Sequence, residues 1–196
     1  MTNSNKIIES VEFNTSGMEK NLIRHFAVDC AESVKEDMIN FDSLKAIVAA
    51  RYNAQGYVSD DALQQQNMRA HTIALRLYDE RENNEIDTAE ELCVLGTQIY
   101  AAWASVYSSG RIDENTARDA AYAAALSKAY HFYDDLFQKS ETIDELDKWL
   151  DAAVLSYYRD YLPLLEEYKK TWSQVEYAQY LIKGWDAETC SQWLNA

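Results

Sequence analysis

At seven places between the periodic segments an apolar residue stands directly before Ser or Asp: Phe41-Asp42, Val58-Ser59, Ile86-Asp87, Ile112-Asp113, Ile143-Asp144, Trp172-Ser173 and Trp185-Asp186. Such a pair is how a helix begins. The apolar residue packs back onto the first turn, and the side-chain oxygen after it accepts one of the amide protons that the first turn leaves without a partner. Acids often follow directly, as at Asp60, Asp61, Glu90, Glu91, Glu114, Glu145 and Glu188, where they complement the positive end of the helix dipole.

Between these starts the apolar residues repeat with helical spacing. Leu92, Leu95, Ile99, Ala102 and Val106 step by 3 and 4, as do Tyr122, Leu126, Ala129, Tyr133 and Leu136. Ile143, Leu146, Leu150, Ala153 and Tyr157 do the same, and Ile23, Phe26, Cys30, Val34 and Met38 do so less regularly. Each set falls on one stripe, as bundle packing requires. The spacing predicts helices over Met18–Ile39, Asp42–Ala54, Ser59–Arg81, Asp87–Tyr107, Asp113–Phe137, Thr142–Tyr161, Pro163–Lys169, Ser173–Lys183 and Asp186–Leu194. Pro163 is expected to end or kink the sixth. With 5 Gly and 1 Pro in 196 residues, turns are too few for an all-β chain.

The expected fold is therefore all-α: a single helical bundle of about eight or nine helices with short capped loops. An arm at 1–17 precedes one domain at 18–196, divided into a main bundle at 18–161 and short C-terminal helices at 163–195. "GYVSDD" at Gly56 and "GRIDEN" at Gly110 read as C-cap glycines that run into the next helix start. "AYAAALSKAY" is dense in the strongest helix former and reads as a helix packed on several sides. Tyr157 and Tyr158 are adjacent and cannot share a face, so one of them is expected at the surface or an interface.

Charge sets aside several functions. There are 18 Lys and Arg against 33 Asp and Glu, a net charge of −15. Direct binding to nucleic acid or an anionic membrane needs clustered cations, which this balance opposes. No apolar run is long enough to span a bilayer, and no basic segment leads into an apolar one as in a signal peptide. Cys30, Cys93 and Cys190 stand far apart, without metal-ligand or disulfide spacing, and read as small buried hydrophobes of a cytoplasmic protein.

Catalytic patterns are sparse. No Glu precedes a His by three residues, as a helical di-iron site would need, and no phosphate-cradling glycine motif or nucleophile elbow occurs. "HFYDD" gathers His131, Asp134 and Asp135, a possible acid–base group. A cationic His closing a helix, beside a solvated acidic face, explains it more simply. The chain is accordingly read as non-enzymatic, with no metal or cofactor.

The acids themselves are the more informative feature. In "YDERENNEIDTAEEL" seven residues are acidic and Arg81 is the only cation. Asp87, Glu90 and Glu91 serve a helix start; Asp79, Glu80, Glu82 and Glu85 do not. In an up-and-down bundle the loop after the fifth helix lies at the same end as this one. It carries Asp134, Asp135, Glu141, Asp144, Glu145 and Asp147. Taken as far as Asp151 and offset by Lys139 and Lys148, this stretch and the first would together hold eleven of the fifteen net negative charges. Such a pole is expected to meet a protein with a basic surface, a nucleic-acid-binding protein being one such partner. That makes an inhibitor of DNA-mimic or anti-defence type the leading expectation. An immunity protein or chaperone for a basic toxin or effector, or a structural helical adaptor, is the alternative.

Overall fold

The computed structural model describes residues 13–83, 89–132 and 143–171, with side chains over 13–83, 91–132 and 148–170. The described residues form six α-helices and no strand: α1 Lys20–Glu32, α2 Phe41–Ala54, α3 Asp60–Asn83, α4 Ala89–Ser109, α5 Thr116–His131 and α6 Ile143–Thr171. A single 3-10 turn, Lys35–Asp37, joins α1 to α2.

This count is below the eight or nine expected. Part of the difference lies at Pro163, which stands inside α6 rather than ending a helix. Pro163 is exposed, so its missing N–H falls on the solvent side. Tyr161 and Leu165, on either side of it, are buried and hold both halves to one surface. The two short helices expected at Ser173–Lys183 and Asp186–Leu194 lie outside the described residues, as does most of the arm at 1–17.

Helix starts follow the caps, with corrections. Ser59 caps α3 as expected, its Oγ accepting from Ala62 N at 3.3 Å. The cap of α2 is Asn40, not Asp42: extended Asn40 accepts from the Asp42 amide at 2.8 Å. Phe41 is consequently the first helical residue, exposed, with the Lys45 ammonium 4.9 Å above its ring. Asp113 organises a turn rather than the first residue of a helix. It accepts from Asn115 N while its own amide donates to Thr116 Oγ1, both at 2.9 Å, and α5 begins at Thr116.

Gly56 closes α2 at φ +81°, with Tyr57 N bonded to Tyr52 O and Gly56 N to Asn53 O. That is the Schellman pattern, which needs the left-handed conformation glycine tolerates. Gly110 does not repeat it, since the positive-φ glycines among the described residues are Gly17 and Gly56. The device read at both loops thus exists at one.

α4 is the central helix. It packs on α1, α2, α3 and α5, and α5 packs in turn on α1 and α6. The Ala-rich segment makes this possible: Ala120, Ala121, Ala123, Ala124, Ala125 and Ala129 are all buried. At the α4–α5 crossing the Tyr130 ring lies over Gly96, where a Cβ would approach its carbons to 2.6–2.9 Å. α1 is enclosed, with nine of its 13 residues buried; Ile23, Phe26 and Cys30 lie in the core as the spacing predicts, whereas Val34 and Met38 reach it from beyond the end of the helix, at Glu32 rather than the expected Ile39. On α6 the buried stripe is Leu150, Val154, Tyr158, Tyr161, Leu165 and Tyr168, one position beyond the expected one, so Ala153 and Tyr157 are only half-buried. A second, smaller core joins Ile73, Ala74 and Leu77 of α3 to Ile99 and Ala102 of α4.

Candidate functional site

The acidic stretch forms the C-terminal end of α3. Asp79, Glu80 and Glu82 are exposed there. Arg81 is not: its guanidinium turns inward and donates to the hydroxyls of Tyr100 on α4 and Tyr130 on α5. Those two rings stack with centroids 5.5 Å apart. Burial pushes the Tyr130 phenol up to about 12, so it stays a neutral acceptor for the cation. The single cation of the stretch is thereby half-buried and committed to two hydroxyls. Arg76 partly replaces it, its Nε 3.5 Å from Glu80 Oε1, in an exposed pair of small energetic weight.

The Arg81–Tyr130 contact also brings the end of α3 beside the end of α5. Of the other residues read as partner-binding, Glu85, Asp134, Asp135 and Glu141 lie outside the described residues. Asp144, Glu145 and Asp147 fall in α6, where the structure describes their backbone alone. The outward face of α3 continues the exposed surface with apolar side chains. Met68, Leu75 and Tyr78 are 62%, 45% and 43% exposed and step by 7 and 3 along one side of the helix.

His131 occupies the last position of α5, which ends earlier than the expected Phe137. Its partner among the described residues is Asp37 of the 3-10 turn, with Nδ1 3.0 Å from Oδ1. Asp37 also accepts from Ser127 Oγ at 3.4 Å. The imidazole ties the α1–α2 connection to the end of α5, a structural use of a group first considered for acid–base chemistry.

A second cluster, which no motif in the sequence announces, is built on the buried Arg51 and two partly exposed carboxylates. Arg51 of α2 reaches Asp29 Oδ1 at 2.5 Å and Glu32 Oε2 at 2.8 Å, and its Nη1 stands 3.5 Å from His25 Nδ1. Tyr168 of α6 donates to the second oxygen of Asp29 at 2.5 Å. Three helices thus share one carboxylate. The signal available was that His25, Asp29 and Glu32 step by 4 and 3 on one face of α1. Arg51 gave none, because its partners come from another helix.

The cluster is poorly suited to catalysis. Burial, helped by Arg51, lowers the His25 pKa to about 4, so the ring is neutral near pH 7. Burial beside Asp29 pushes the Cys30 thiol well above its ordinary value, which suppresses the nucleophilic thiolate. Among the described residues no three His, Cys, Asp or Glu side chains converge as a metal would require.

These features define an all-helical bundle with an acidic, partly apolar outer helix and a half-buried ionic cluster joining three helices. Comparison with known protein families, with curated proteins and with solved structures finds no match.

Proposed function

We propose that this chain is a non-enzymatic protein-binding protein. It uses the acidic end of α3 to occupy a basic, nucleic-acid-binding surface of another protein and thereby inhibits it. One observation carries the reading: Asp79, Glu80 and Glu82 stand in solvent while Arg81, the cation among them, is folded back onto Tyr100 and Tyr130. Helix capping needs acids at the start of a helix, not at its end, where they oppose the dipole. A carboxylate cluster at this place therefore weakens α3 slightly and suits it to a cationic partner.

The test is capture of partners from the source cell by the wild-type chain and by the triple variant Asp79→Lys, Glu80→Lys, Glu82→Lys. A partner that is lost in the variant and displaced by duplex DNA supports the reading. A partner held equally by both chains refutes it. The exposed Met68, Leu75 and Tyr78 favour a second reading, a helical adaptor with an apolar interface. Binding through that surface would change little with salt, whereas binding through the acids would weaken steeply.

A further inference from the structure

Against the acidic background, one cleft of about 500 Å³ is basic. It lies where the start of α1, the start of α3 and the segment after α4 meet. Lys20, Arg24 and Arg111 line it against one carboxylate, Asp60. The Asp60 charge is itself engaged, accepting from Asn53 Nδ2 at 2.8 Å. Among the described residues, none of the three cations has a carboxylate within ion-pair distance.

Arg24 is the telling member. It is only 8% exposed, and a buried guanidinium is normally paired with a carboxylate. Here Nη1 alone makes the hydrogen bonds, to Ser108 O at 3.2 Å and Gly110 O at 3.0 Å, at the end of α4. Its remaining donors are not spent on protein partners among the described residues. The start of α1 adds to the same field. Its first residue is Lys20, it has no acid in the first turn, and Glu19 makes no side-chain cap. A cation at the positive end of a helix is unfavourable, and a bound anion relieves it.

We propose that this cleft binds a small phosphomonoester. Three cations against one carboxylate match a phosphate group of charge roughly −1.5 to −2 at neutral pH. The rest of the lining is mainly carboxamide, hydroxyl and aliphatic, with no aromatic side chain to stack a base. Asn53 and Asn67 line the cleft and already donate through Nδ2, to Val58 O and Val106 O among others, which leaves their amide oxygens as the groups able to accept from a ligand hydroxyl. A phosphorylated polyol or sugar fits this arrangement and a nucleotide does not. The volume is within the usual range for small-ligand sites, roughly 300–1,000 Å³.

The experiment is calorimetric titration of the full chain with glycerol phosphate, inorganic phosphate and glycerol. Saturable binding of glycerol phosphate, tighter than that of either control, is expected. Lys20 and Arg111 are exposed, so the double variant Lys20→Gln, Arg111→Gln should keep its thermal midpoint while binding at least about tenfold more weakly. No saturable binding of glycerol phosphate overturns the proposal. So does glycerol binding as tightly as its phosphate, or a double variant that binds as the wild type does.

Discussion

Tyr168 and Asp29 lie 139 residues apart in the chain, yet the Tyr168 hydroxyl donates to Asp29 Oδ2 at 2.5 Å. The other oxygen of the same carboxylate holds Arg51. Two helices therefore compete for nothing and cooperate on one charge. Tyr168→Phe should lower unfolding stability by about 1–2 kcal/mol, the range of a hydrogen bond to a charged group. Arg51→Met leaves Asp29 and Glu32 without their cation and should cost about 3 kcal/mol. Denaturant unfolding of both single variants and the double variant should reveal a coupling of at least about 0.5 kcal/mol. Strict additivity would show that the two donors act independently.

His25 makes stability depend on pH in a defined window. Its native pKa is about 4, and its unfolded value is near 6.5. Between these values the unfolded chain binds the proton and the native chain does not, so stability rises with pH there. The contribution is fully present above pH 6.5 and is lost as pH falls toward 4. Its upper limit is about 3 kcal/mol, from the difference in pKa. Urea unfolding at a series of pH values should show a shallower slope in His25→Gln than in the wild type across this window. Parallel curves would contradict the assignment.

Gly96 should accept no side chain. A Cβ there meets the Tyr130 ring at 2.6–2.9 Å. Gly96→Ala improves helix propensity by about 1 kcal/mol but forces the α4–α5 crossing apart, a strain of about 1–3 kcal/mol. The net expectation is a lowered thermal midpoint, restored in part by truncating Tyr130 to Leu. A more stable Gly96→Ala would mean that the crossing yields easily.

Pro163 offers the opposite change. It stands exposed inside α6, where proline is about 3 kcal/mol worse than alanine in an unconstrained helix. Pro163→Ala restores the missing amide and should stabilise the protein by about 1–2 kcal/mol, part of the gain being offset by a more flexible unfolded chain. Thermal unfolding by circular dichroism checks the direction.

How far the fold could be read from the residues follows from which forces are local. Ser59 was legible as a cap because its oxygen bonds three residues on. Asp42 has the look of a cap, but Asn40 starts the helix two residues earlier and accepts from the Asp42 amide, which puts Asp42 inside the first turn. The α1 stripe was legible from spacing alone. On α6 two adjacent stripes both satisfied the spacing, and only packing against α1 and α5 selects Val154 and Tyr158 over Ala153 and Tyr157. Gly110 resembles Gly56 in its neighbours, but its φ is not positive and its carbonyl accepts from Arg24 of α1, a partner 86 residues away that local sequence does not reveal. The inward turn of Arg81 was invisible for the same reason: its acceptors, Tyr100 and Tyr130, belong to two other helices.

The enclosure of α1 has a consequence for the chain's synthesis. α1 emerges first among the described helices, but its cover comes late. Phe26 meets Tyr168 edge-on at 6.0 Å, and Phe13 stacks on Tyr158 at 4.6 Å. At roughly 5–20 residues per second, the ribosome needs on the order of ten seconds to make the intervening segment. Throughout that interval the apolar flank of α1 and the Asp29 carboxylate have no α6 to close over them. Until the segment that holds Tyr158 and Tyr168 has been made, the nascent α1 has only α2, α4 and α5 to pack on.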